Sequence, residues 1–213
     1  MDWARLGLLA LAAAAAGVIN SIAGGGSIIS FPAAIAAGLP PVAASATNTV
    51  ALAPGSLASA YAFRGDLGEN RTLLPWLVLP ACAGALIGAL VLVAAPERVF
   101  ELIVPWLVLL ATLLLLVRDL VQRRATSASV PPSRRRSFGV AAALGLLSVY
   151  GGYFGAGMGI LTLAVISFTK RLDIHQLNAL KNIVVGAINT TAAVYFVISG
   201  TAHLPAAPAM AIG

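Results

Sequence analysis

Apolar runs of about 20 residues, the length that spans a bilayer core, recur along this chain between short polar breaks. The pattern predicts full spans over 42–63, 72–94, 99–117 and 176–199, and a further apolar segment begins at Leu204. Two more apolar stretches are interrupted by glycine. Leu6 to Ala23 and Ser27 to Ala37 flank Gly24, Gly25 and Gly26, while Phe138 to Tyr150 and Ile160 to Thr169 flank the run Gly151 to Gly159. Glycine in a helix interior costs ~1 kcal/mol relative to alanine, so three in succession predict a broken helix. The arm after the first break is short, roughly 16 Å at 1.5 Å per residue. Each broken pair is therefore expected to be a re-entrant helical hairpin. Hydrocarbon cannot satisfy the amides and carbonyls that a break frees, so the break must face protein, water or a ligand. The leucine-rich run 99–117 is expected to face lipid. The N-terminus has the outline of a signal peptide, but it leads straight into the first break and is read as part of the fold.

The two broken pairs head two similar halves. Each half continues with a tight loop and a span carrying an early asparagine; Asn48 is followed by Tyr61, and Asn182 by Tyr195 at the same spacing. The charges reverse between them. Arg64, Asp66, Glu69 and Arg71 follow the first asparagine span, whereas Lys170 and Arg171 precede the second. Lys and Arg favour the cytoplasmic side, so the halves are expected to be inverted repeats, as in many secondary transporters with broken helices meeting near the midplane. The expected fold is an all-α integral membrane protein, a polytopic helical bundle. It divides into a first repeat with its connecting helix (1–117), a basic linker (118–137) and a second repeat (138–213). The first-half span runs on past Gly84, whereas the chain ends at the matching Gly213, so most of the last helix is expected to be missing.

Composition strengthens the membrane reading. The chain of 213 residues is 60% hydrophobic and 9% charged, with a mean hydropathy of +0.96, whereas soluble domains carry about 25% charged residues. The net charge of +6 does not imply nucleic acid. Arg118, Arg123, Arg124, Arg134, Arg135 and Arg136 crowd into one linker between apolar halves, which places that linker in the cytoplasm. Ser127, Ser129, Pro131, Pro132 and Ser133 mark it as flexible. Cys82 has no second cysteine to pair with. Gly84 and Gly88 have the spacing of close helix packing.

The candidate chemistry concerns anions. A helix N-terminus exposes unpaired N–H groups and a partial positive charge. Gly24, Gly25 and Gly26 with Ser27, and Gly155 and Gly157 in the second break, would each start a half-helix whose amides can approach an anion closely. Gly151, Gly155 and Gly159 also stand four residues apart, which equally fits a packing face. Lys181 lies about six residues, roughly 9 Å, into a span. Intramembrane charges are costly and usually functional, so its ammonium is a candidate partner for an anion, against a snorkelling role. Asn48 and Asn182 each offer a donor and an acceptor, to an oxyanion or to another helix. Thr47 stands beside Asn48, and Thr49, Ser45, Asn20 and Asn189 are second-rank candidates. His175 and His203 fall in expected loops. No histidine pair has metal-ligand spacing, and neither a P-loop nor a nucleophile elbow is present. The sequence therefore calls for no metal, no cofactor and no enzymatic activity.

The stretches GVINSIAGGGSIISFPAAIAAG…SATNT and YGGYFGAGMGIL…LNALKNIVVGAIN resemble the TauE/SafE sulfite exporter family of membrane permeases, over nearly the whole chain. The resemblance implies a carrier of sulfite, sulfoacetate, other sulfonates or related small anions. Combined with the residues above, it leads to an expected multi-pass permease of the cytoplasmic membrane. Alternating access would operate around a midplane site formed by both glycine breaks, Asn48, Asn182 and Lys181. Its partners are the small anion and the lipid bilayer, and a homo-oligomer is compatible with the sequence. The rival expectation is a non-transporting assembly or sensor subunit. An intramembrane enzyme would need a nucleophile and base, and no convincing pair is present.

Overall fold

The computed structural model describes residues 11, 12, 14–16, 26–127, 134–169 and 172–212, with side chains placed for all of these except 125–127, 134–136, 209, 211 and 212. Every regular element among the described residues is helical. Helical residues at 11–12 and 14–16 precede α1 (Ser27–Ala36), α2 (Pro41–Ala62), a 3-10 segment (Phe63–Leu73), α3 (Leu74–Ala94) and α4 (Glu97–Leu116). Then come α5 (Arg118–Ser127), α6 (Arg134–Tyr153), α7 (Met158–Ile166), α8 (Ile174–Ile198) and α9 (Ala207–Ile212).

Local chemistry sets these boundaries. Proline has no N–H to lose in a first turn, and it stands within the first two positions of α2 and α3. Asp173 and Gln176 form a capping box on α8: the Gln176 amide donates to Asp173 Oδ1 at 2.8 Å, and the Asp173 amide to Gln176 Oε1 at 3.4 Å. Three helical runs among the described residues are long and apolar enough to cross a membrane: 41–94, Glu97–Leu116 and Ile174–Ile198. The first contains both α2 and α3, joined through the 3-10 segment with its non-helical turn at Gly68. At 22 and 21 residues, each is about 30 Å long, the thickness of a bilayer core. In α4 only Phe100 and Ala111 are buried, while Leu102, Trp106 and Leu116 are exposed, as the lipid-facing expectation requires.

Small residues bring the helices together. A Cβ added to Gly84 would lie 2.0 Å from the Gly145 carbonyl oxygen, and one on Gly88 2.0 Å from that of Val149. From the other side, a Cβ on Gly152 would lie 1.9 Å from the Ala85 oxygen. The backbones of α3 and α6 thus touch directly, where packing rather than water exclusion holds helices together. An aromatic cluster then fastens α1 to α4 and to the end of α6. Phe31 meets Phe154 edge-on at 5.1 Å, and Phe100 meets Tyr153 at 5.5 Å.

Two expectations need correction. The segment 118–137 is not a flexible linker throughout, because Arg118–Ser127 is helical and α6 already starts at Arg134. The stretch RDLVQRR consists largely of good helix formers, and Val121 packs against the core of α3, α6, α7 and α8. Pro131, Pro132 and Ser133 lie outside the described residues. Gly151, Gly155 and Gly159 do not share one helix face, because α6 ends at Tyr153 and Gly155 has a φ of 74°.

Candidate functional site

The second glycine run builds a sharp chain reversal between two helices. Gly155 and Gly157 have φ of 74° and 76°, a left-handed conformation that side-chain-bearing residues rarely adopt. The Tyr150 hydroxyl donates to the Ala156 carbonyl at 2.6 Å, bracing the reversal from the preceding helix. The Met158 amide donates to the Gly155 carbonyl at 3.1 Å, and the Ile160 amide to that of Gly157 at 3.0 Å. Among the described residues, the amides of Ala156, Gly157 and Gly159 make no backbone hydrogen bond. The start of α7 therefore carries the unpaired donors and partial positive charge of a helix N-terminus.

This start meets the start of α1. Ser27, the first residue of α1, lines one cavity with Gly155, Met158 and Gly159, and Thr49 of α2 and Asn189 of α8 complete its polar wall. Asn189 Nδ2 donates to Ser56 Oγ at 2.8 Å, and Ser56 Oγ donates to the Leu52 carbonyl at 2.9 Å, tying α8 to α2 beside the cavity. A carboxamide nitrogen has two hydrogens, so this bond leaves Asn189 a second donor. The cavity holds about 20 Å³, room for about one water.

Lys181 faces a second cavity, lined also by Arg118 and Gln122 of α5, Asn178 of α8 and Gly159 of α7. Its ammonium donates to Asn178 Oδ1 at 3.2 Å.

The remaining candidates are dispersed. Asn48 Oδ1 accepts from Ser30 Oγ, so Asn48 ties α2 to α1. Thr47 is fully buried and its hydroxyl oxygen accepts from the His203 amide at 2.8 Å, anchoring the approach to α9. Gly157 packs against Leu114, and Asn182 is half-buried and lines neither cavity. Gly26 precedes α1 and is buried, while Gly24, Gly25 and Asn20 lie outside the described residues. Arg118, Gln122 and Asn178, not singled out as site residues in the sequence, line the second cavity, Ser56 stands beside the first, and the second-rank candidates Thr49 and Asn189 line the first. One signal was present. Lys181, Val185 and Asn189 recur every four residues, and such positions share a helix face.

Comparison with known proteins agrees with this architecture. The family model described as sulfite exporter TauE/SafE matches residues 9–213. A probable membrane transporter protein, ORF9, of Sinorhizobium sp is 39% identical over 106 residues, covering 49% of this chain and 40% of that protein. The probable membrane transporter protein YfcA of Escherichia coli K12 is 31% identical over 157 residues, covering 72% of this chain and 56% of its own. The chain spans about half the length of the curated relatives it matches. No solved structure matches it. With the family model covering nearly every residue, the chain belongs to the sulfite exporter TauE/SafE family.

Proposed function

We propose that this chain is a multi-pass carrier of small sulfur-containing anions, sulfite or sulfonates, acting by alternating access in the cytoplasmic membrane. One observation carries the reading: the starts of two half-helices, at Ser27 and at Gly155 to Gly159, meet at a single cavity walled by Thr49 and Asn189. Helix N-termini favour anions, and discontinuous helices meeting at depth are how many secondary transporters hold an anionic group. The family description, sulfite exporter, supports this choice of substrate class.

The same reading makes the chain two inverted repeats, 1–117 and 138–213, each with a re-entrant hairpin, joined through a cytoplasmic segment at 118–137. The order of elements supports it. A short helix, a long helix and a further helix start at Ser27, Pro41 and Leu74, and a second such set starts at Met158, Ile174 and Ala207. Alternating access requires the cavity to open toward each side of the membrane in turn.

Flux of labelled sulfite, sulfoacetate and taurine into proteoliposomes tests the proposal. The expected result is saturable uptake of at least one of them, reduced about ten-fold by Lys181→Ala through loss of a charge-assisted contact. Absence of saturable flux for all three anions would overturn it.

A further inference from the structure

The carrier reading does not explain why a helix between the halves reaches into the bundle beside Lys181. Arg118 and Gln122 stand four residues apart on α5, and Asn178 and Lys181 three apart on α8, spacings that put each pair on one helix face. All four line the same cavity, together with Gly159. Among the described residues the polar side chains lining it are these four, while Asp119 and Arg123 line a separate cleft with Gln122 and Ile174. Two cations and two carboxamides around one cavity match an oxyanion. A guanidinium matches paired oxygens with its planar fork, and an ammonium adds a point charge.

Gly159 lines both this cavity and the central one, so the two adjoin one another at the first turn of α7, at a residue with no side chain. Val185 and Asn189 follow Lys181 by one and two turns on the same face of α8, and both line the central cavity. We infer that Arg118, Gln122, Asn178 and Lys181 form a second oxyanion-binding site, a vestibule from which anions pass along this α8 face to the central cavity. The binding site stands on its own geometry, while its role as a vestibule rests on the carrier reading. The cavity holds about 20 Å³, so an oxyanion displaces the flexible ends of Lys181 and Gln122 as it enters. Two cations favour a ligand with net negative charge, sulfite or sulfoacetate, over zwitterionic taurine.

Equilibrium dialysis of radiolabelled sulfite against the purified full chain tests the site. Arg118→Gln is expected to weaken binding about ten-fold, Arg118→Lys by less, and Arg123→Gln, on the neighbouring cleft, not at all. Sulfoacetate is expected to displace sulfite, and taurine to compete about ten-fold more weakly. The site is overturned by a wild-type chain that binds no sulfite, by unchanged binding in Arg118→Gln, or by equal losses in the Arg118 and Arg123 variants. Arg118-dependent binding without flux in proteoliposomes would contradict the carrier reading and leave the site standing.

Discussion

Replacing Gly152 by alanine is expected to unfold the bundle at its tightest crossing. The new methyl group would sit 1.9 Å from the Ala85 carbonyl oxygen, against ordinary contacts of about 3.5–4.0 Å between non-bonded atoms. The obstacle is backbone, so no rotamer change relieves it, and α3 and α6 must separate. Separation also opens the neighbouring contacts at Gly84 and Gly88, where added Cβ atoms already meet carbonyl oxygens at 2.0 Å. Overpacking of a core costs about 1–3 kcal/mol and occasionally more, and a shared backbone obstacle places this change at the upper end. Gly139→Ala, also on α6, meets nothing within 4 Å. It is expected to leave stability unchanged or raise it by up to ~1 kcal/mol through helix propensity. Thermal unfolding of both variants in detergent, followed by circular dichroism, makes the comparison. Equal stability of the two would mean that α3 and α6 do not cross here.

Asn189→Leu should remove transport with little loss of fold. Asn189 contributes a carboxamide to the central cavity and donates to Ser56 Oγ, which in turn donates to the Leu52 carbonyl. Leucine fills the volume but supplies no donor to an anion, in a site where low dielectric makes each missing partner costly. We expect about a hundred-fold lower flux at subsaturating anion, the equivalent of ~3 kcal/mol. Asn189→Gln, which keeps the carboxamide, should retain part of it. Initial uptake rates across anion concentrations, with thermal stability measured alongside, separate this loss from unfolding.

The spans were legible in the sequence because length and composition nearly determine them. Runs without charge and about as long as a bilayer is thick can do little else, and α2, α3, α4 and α8 fall within a few residues of their expected bounds. The helix α5 was not legible. Its arginines, and the serines and prolines after it, pointed to a solvated loop, while the contact that orders it, Val121 against the core, joins segments distant in the chain. The candidate site was legible in part. Both breaks read as helix starts, and the described part of the first, at Ser27, does line one cavity with the second. Lys181 was assigned to that same site, yet it stands about 12 Å along α8 from Asn189, at 1.5 Å per residue over two turns, and faces another cavity. The asparagines stand away from the cavity for a rotational reason. Neighbouring residues on a helix point about 100° apart, so Asn48 turns to Ser30 while Thr49 lines the cavity.

The central claim is that the cavity between the two half-helix starts is the passage, open to each side of the membrane in turn. A single thiol tests it. In a Cys82→Ser background, Thr49→Cys places the thiol in the cavity wall, and Glu69→Cys places one in the exposed 3-10 segment as a control. Each reconstituted variant is treated with a membrane-impermeant maleimide from one face and then, separately, from the other. The account predicts that Thr49→Cys reacts from both faces, more slowly with saturating sulfoacetate, whereas Glu69→Cys reacts from one face and is indifferent to the anion. Reaction of Thr49→Cys from a single face only, at a rate that sulfoacetate does not change, would contradict it.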